Sequence, residues 1–228
     1  SVTENIPALQ REDGSWAMSP EERANELAST FQKKSELPPE ETNAYTEICN
    51  EPREPQAGFL RIRVKTAYKK LRDLDEDSGT GPDLLPARIL KRCAGELSLP
   101  VALLSRKLLA EGRWPTCWRT HWVHALYKRK SKADPGNYRG IHLTAQISKV
   151  VERVLGSAFI PWAEAQGLYG PHQYAYGKGK GCKDTLCVNV CNWLLLMEHG
   201  KLVGLYCSDV SDAFDRVERD RLCSKLSI

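Results

Sequence analysis

The stretch Lys201–Asp215, KLVGLYCSDVSDAFD, decides how this chain is read. Its opening residues are mostly apolar and suit a strand, and Asp209, Asp212 and Asp215 follow at once. An apolar strand that ends in aspartate sets the carboxylate at a sheet margin, where it stays ionised and can meet a hard cation. Mg²⁺ takes one or two carboxylates together with substrate phosphates, and two such ions can clamp the attacking and leaving oxygens of a phosphoryl transfer. Strand alternation makes Asp209 the one good side-chain ligand, with the carbonyl of Val210 as a further oxygen and Ser211 on the same face. Asp212 and Asp215 fall on the turn and suit capping of a following helix.

Working outward, the chain has 228 residues, enough for one large domain or two small ones. Net charge is +4, unevenly spread: residues 1–57 hold 5 Lys/Arg against 12 Asp/Glu, and the rest holds 28 against 17. An acidic leader ahead of a basic body fits a partner with phosphates. The apolar runs SLPVALLSRKLLA and VNVCNWLLLM fall short of the roughly 20 apolar residues of a membrane span. The opening SVTENIPALQ lacks the basic start and apolar stretch of a signal peptide. The expectation is an intracellular protein, nuclear or cytoplasmic, without a membrane span. Eight cysteines form no C-x-x-C pair. Cys182, Cys187 and Cys191 with His199 could be imagined around zinc, but three of these lie in one expected helix, so buried reduced thiols are the reading adopted.

Local patterns supply the elements. Ser19, Pro20 and Glu22 form a helix start with a capping box, and Ala24, Leu27, Ala28 and Phe31 recur behind it at helical spacing. A linker rich in Pro and acids follows. Ile62, Val64, Ala67, Tyr68 and Leu71 mark an amphipathic helix, and DEDSGTGPD ends it in a turn. LPARILKRCAGELSLPVALLSRKLLAEGRWP reads as two helices broken near Pro100. HWVHALYK and YRGIHLT read as two strands around the basic turn RKSKADPGN. A helix with Ile147, Val150, Val151, Val154 and Leu155 on one side, a glycine-rich loop, a helix over CKDTLCVNVCNWLLLMEHG, the acid-bearing strand and a short last helix complete the order. The fold class is α+β.

The opening stretch resembles the first catalytic motif of reverse transcriptases, specifically those of non-LTR, LINE-like retrotransposons. GTGPDLLPARILKRCA resembles that family's Gly-Pro-Asp block. WPTCWRTHWVHALYKRKSKADPGNYRGIHLTAQISKVVERVL resembles its second block, and GPHQYAYGKGKGCKDTL its Gln-Tyr-Gly-Phe-Arg-x-Gly block. DGSWAMSPEERANELASTF resembles the connector ahead of the polymerase. These blocks stand in the family's order and cover nearly the whole chain.

The resemblance implies a right-hand polymerase: fingers and the start of the palm, with a helical N-terminal extension and an incomplete palm sheet. The corresponding division is 1–57 as acidic connector and linker, 58–200 as a fingers-like region, and 201–228 as the first palm strand and helix. It implies an RNA-directed DNA polymerase acting, when complete, on an RNA template and a DNA primer with Mg²⁺. Asp209 matches the catalytic, metal-binding aspartate, with Val210 beside it. Phe214 matches the aromatic beneath the incoming sugar, and a packing phenylalanine is its equal alternative. Lys128 and Arg139 match fingers residues that reach the triphosphate, as a point charge and a bidentate guanidinium can. Gln173 and Tyr174 match the loop near template and nucleotide, and Lys178 and Lys180 would follow the template backbone. Gly140 stands where the family usually has Pro, His142 where it has Ser, and Gly177 where it has Arg. No Asp-Asp pair occurs in the sequence, so the expected second half of the metal cage, with palm and thumb, belongs to other polypeptide. The chain alone is expected to be inactive. Further palm and thumb chain, or a protein partner, would cover the strand at 202–206. The alternative is a catalytically dead remnant that serves as a structural or binding subunit.

Overall fold

A computed structural model describes residues 6–36, 60–167, 169–170, 172–177, 179–209, 213, 216–217 and 222. The chain divides into two compact units, 1–157 with 212–228 and 158–211.

The first unit opens with a minimal hairpin, β1 (Leu9–Gln10) and β2 (Trp16–Ala17), paired antiparallel. Helix α1 (Pro20–Ser35) follows. Its start is built as the sequence implies: the Glu22 N–H donates to Ser19 Oγ at 3.1 Å, and Glu22 Oε2 accepts from the N–H of Ser19 at 2.9 Å and of Met18 at 2.8 Å. Those backbone donors, Ser19 first, hold the Glu22 carboxyl down to about 2.

Four helices make the main core: α2 (Val64–Arg72), α3 (Ala87–Arg92), α4 (Ala94–Glu111) and α5 (Gln146–Ala165). Leu71 of α2, Val101 and Ala102 of α4, and Val150, Val151 and Val154 of α5 are buried together with Trp118. The apolar stripe expected on α5 therefore does face a core, because residues at i, i+1 and i+4 share one side of a helix. The expected break near Pro100 is corrected: Pro100 lies inside α4, and the break falls at Cys93. An interior proline costs a helix one hydrogen bond and crowds the preceding turn, yet burial of Ser98, Val101, Ala102 and Ser105 on both sides of Pro100 keeps the helix continuous.

Strands β3 (Trp122–Tyr127) and β4 (Tyr138–Leu143) form an antiparallel hairpin with Trp122 opposite Leu143 and Tyr127 opposite Tyr138. A second, smaller core lies on one face of it, where Leu9, Ala17, Leu27 and Tyr138 are buried with Phe31, Ala125 and Tyr127 packed around them.

The second unit holds helix α6 (Cys182–Glu198) and the segment after it. None of the α6 residues is buried. Cys182, Cys187 and Cys191 are exposed free thiols, as are Cys93, Cys117 and Cys207, which corrects the expectation of buried cysteines. The strand expected before Asp209 is also corrected: residues 201–209 form neither helix nor strand. A strand is defined by a ladder with a neighbour, and each strand among the described residues pairs within its own hairpin. The short helix expected near the C-terminus falls largely outside the described residues, as does nearly all of the linker expected over 36–58.

Two outcomes follow from this packing. Leu71→Ala, at a fully buried site, lowers stability by about 2–5 kcal/mol, read as a lower denaturant midpoint at unchanged slope. The carboxyl of Glu22 is depressed in the folded state, so its contribution to the start of α1 is complete above the ordinary value of 4.5 and is lost as pH falls towards about 2. Acid titration followed by circular dichroism shows this loss in the parent chain, and Glu22→Gln removes that part of the pH dependence.

Candidate nucleic-acid interface

The β3–β4 hairpin has two unlike faces because side chains alternate along a strand. On one face the register brings Val123 opposite His142, Ala125 opposite Gly140 and Tyr127 opposite Tyr138. Helix α1 covers the end of this face nearer the turn, around Ala125, Tyr127 and Tyr138, and leaves Val123 and His142 exposed. Lys34 Nζ donates to the carbonyls of Gly136 at 3.0 Å and Tyr138 at 3.1 Å, and the Gln10 N–H donates to the carbonyl of Ala133 at 2.8 Å. A Cβ at position 140 would come within 3.0 Å of Val123 Cγ1 and 3.5 Å of the Phe31 ring. The tight neighbour is Val123 on the paired strand, while the Phe31 ring of α1 lies at an ordinary contact distance from position 140.

The opposite face carries Trp122, His124 and Leu126 against Leu143, Ile141 and Arg139. Lys128 continues the same face, since its N–H donates to the carbonyl of Asn137 at 2.9 Å and extends the ladder by one pair. Lys128 and Arg139 are therefore diagonal neighbours with both side chains exposed. Trp122, Leu126 and Ile141 beside them are exposed at 46%, 50% and 38%. Cations set among apolar and aromatic surface can meet phosphate oxygens and base faces together.

The turn that joins the strands is held by its own polar groups. Asp134 Oδ1 accepts from the Gly136 N–H at 2.8 Å, and Asn137 Nδ2 donates to the carbonyl of Ser131 at 2.9 Å and to Asp134 Oδ2 at 3.0 Å. The Tyr138 hydroxyl donates to the carbonyl of Lys132 at 2.7 Å, and Lys132 Nζ lies 5.2 Å from the centre of the Tyr127 ring. The Asn-Tyr pair of the second block thus fixes the path of the basic turn, a role the sequence alone did not assign.

Asp83 is another residue whose part was not foreseen. Its Oδ2 accepts from the backbone N–H of Gln146 at 3.2 Å, at the start of α5. Gln146 Nε2 donates to Ser78 Oγ at 3.3 Å and to the carbonyl of Gly79. Gly81 lies so close to the next segment that a Cβ there would stand 2.3 Å from the carbonyl oxygen of Thr144. The Gly-Pro-Asp block and the segment after β4 therefore interlock. Their only shared signal in the sequence is a glycine and an aspartate two residues apart beside a proline.

The remaining site residues lie in the second unit. Gln173 is exposed, with Nε2 donating to the carbonyl of Ala175 at 3.3 Å, and Tyr174 is half-buried with Lys180 Nζ 5.6 Å from its ring centre. Asp209 is exposed in the irregular segment. Val210, Phe214, Asp212, Asp215 and Lys178 fall outside the described residues. Among the described residues no three His, Cys, Asp or Glu side chains cluster as a metal site. Asp209 is thus the one member of the expected Mg²⁺ cage that can be described, and a single exposed carboxylate does not make that cage.

The chain is 23% identical over 218 residues to the probable RNA-directed DNA polymerase from transposon BS of Drosophila melanogaster, covering 93% of this chain and 24% of that protein. It is 27% identical over 138 residues to the probable RNA-directed DNA polymerase from transposon X-element of the same fly, covering 60% of this chain and 15% of that protein. Its relatives are transposon RNA-directed DNA polymerases. The chain spans less than a quarter of the length of these curated relatives, and no protein-family profile matches it. The relationship to non-LTR reverse transcriptases expected from the ordered blocks holds, and the mixture of helices with small antiparallel sheets agrees with α+β.

In this retroelement relative, Asp83→Ala removes the acceptor at the start of α5. The expected loss is about 1 kcal/mol, with Asp83→Asn milder, as thermal unfolding monitored by circular dichroism will measure.

Proposed function

We propose that this chain forms the fingers and the first palm motif of the RNA-directed DNA polymerase of a non-LTR retroelement. Residues 1–57 act as connector and linker, 58–200 as fingers, and 201–228 as the start of the palm, in a right-hand polymerase completed by further polypeptide. The complete enzyme binds an RNA template, a DNA primer and a deoxynucleoside triphosphate, and adds nucleotides to the primer hydroxyl with Mg²⁺. The observation that carries this reading is Lys128 and Arg139 side by side on the exposed hairpin face of a chain whose relatives are RNA-directed DNA polymerases.

The roles follow from charge and shape. Arg139 grips a phosphate through two parallel N–H donors, and Lys128 adds a compact charge beside it. Gln173 and Tyr174 meet template and nucleotide from the glycine-rich loop. Asp209, with the carbonyl of Val210, contributes to the Mg²⁺ centre, and Phe214 lies beneath the incoming sugar. No helix of the described residues is long and apolar enough to cross a membrane, and work on nucleic acid is assigned to the nucleus or cytoplasm.

A second reading is favoured by one specific observation: exposed apolar side chains on α6, among them Leu186, Leu194, Leu195 and Met197, together with Leu202, Leu205 and Tyr206 beyond it. A helix that is apolar on more than one side is one that other structure buries. In the polymerase the rest of the palm and thumb covers this surface. In a catalytically inactive remnant a protein partner does, and the chain acts as a structural or binding subunit.

Salt titrations and primer extension separate these readings. Lys128→Gln and Arg139→Gln should each weaken binding of an RNA–DNA primer–template and reduce the slope of log K against log salt by about 1. Binding unchanged in the double variant would remove the fingers assignment. The chain alone should not extend a primer, and the full-length protein should do so until Asp209→Asn stops it. Extension that survives Asp209→Asn removes the catalytic assignment of Asp209, and a full-length protein inactive with every substrate present supports the subunit reading instead.

A further inference from the structure

At the open end of the β3–β4 hairpin, away from the basic turn, two imidazoles face each other. His121 immediately precedes β3, and His142 lies on β4 opposite Val123. Residue 121 is two positions before residue 123, so the two histidines are diagonal neighbours on one face of the hairpin. Their Nδ1 atoms are 3.4 Å apart and their rings are edge-to-face at 88°. The second ring nitrogen of His121, Nε2, lies 3.2 Å from the carbonyl oxygen of Trp118. A carbonyl can only accept, so Nε2 carries the proton and the Nδ1 of neutral His121 presents a bare lone pair towards His142.

We propose that His121 and His142 form a two-imidazole site for a borderline divalent transition metal, of the Zn²⁺ or Ni²⁺ class. The spacing carries the inference. Two nitrogens bound to one tetrahedral ion at 2.0–2.1 Å stand roughly 3.3 Å apart, and a long ring N–H···N hydrogen bond holds the same pair together when no ion is bound. The observed 3.4 Å matches the edge of a coordination shell. The bond to Trp118 is the kind of outer contact that orients a ligating histidine, because it fixes the tautomer and the plane of the ring. Metal binding places the ring proton of His142 on Nε2, leaving Nδ1 to the ion. Both side chains are exposed, so water or another small donor completes the coordination shell. Imidazole pairs suit Zn²⁺ and Ni²⁺ and not Mg²⁺, which prefers oxygen. The site is therefore chemically separate from the Mg²⁺ centre proposed around Asp209 and does not depend on the polymerase reading. A bound ion would tie the chain just after the Thr116–Trp118 turn to the last residues of β4 and close the open end of the hairpin.

The exposed thiols of Cys182, Cys187 and Cys191 compete for soft metals, so the test uses the full chain with thiols alkylated and Ni²⁺ as the probe. Isothermal titration at neutral pH should show saturable binding of one equivalent, unaffected by millimolar Mg²⁺. His121→Ala and His142→Ala should each lower the affinity about tenfold or more and abolish the Ni²⁺-induced rise in Tm, with the metal-free Tm unchanged. No saturable binding, or binding of equal strength in the double variant, overturns the proposal.

Discussion

The first unit depends on one interlock: the loop that carries the Gly-Pro-Asp block against the start of α5. Gln146 is buried to within 1% of its surface, and a buried amide without partners is costly. Here its backbone N–H reaches Asp83 and its side chain reaches Ser78 and Gly79. Gly81 makes the approach possible, since no side chain fits against the carbonyl of Thr144. Because β4 leads into α5 within a few residues, the same contact ties the hairpin's base to the core of α2, α4 and α5.

The hairpin itself would be marginal alone, since two strands bury too little to hold their pairing. Its inner face is stabilised by the N-terminal segment: Phe31 beside Gly140, Lys34 on the turn carbonyls, and Leu9 and Leu27 around Tyr138. With that face covered, alternation leaves Lys128 and Arg139 on the other side, beside Trp122, Leu126 and Ile141. An N-terminal segment distant in sequence thus decides which hairpin face is left open to solvent.

The second unit presents the opposite condition. Helix α6 forms, because its sequence has the composition and end signals of a helix, yet it buries none of its residues. The segment after it is apolar but unpaired, and Asp209 at its end is exposed. Helical hydrogen bonds close within four residues, whereas a strand requires a partner chain to form at all. That difference explains why the sequence foretold α6 correctly and the strand incorrectly.

What the sequence determined by itself was local or inherited. The capping box of α1, the alternation in the two hairpin strands, the stripe on α5 and the family relationship all follow from neighbours in the chain or from ordered blocks. The break between α3 and α4 was misplaced because a proline's effect depends on what the flanking turns bury. Tertiary structure alone decided that Phe31 meets Gly140, that Asp83 meets Gln146, and that His121 faces His142. Those pairs lie between 21 and 109 positions apart, and no periodicity of the chain encodes contacts at such separations. They arise when elements whose apolar faces must leave water settle on one mutual packing.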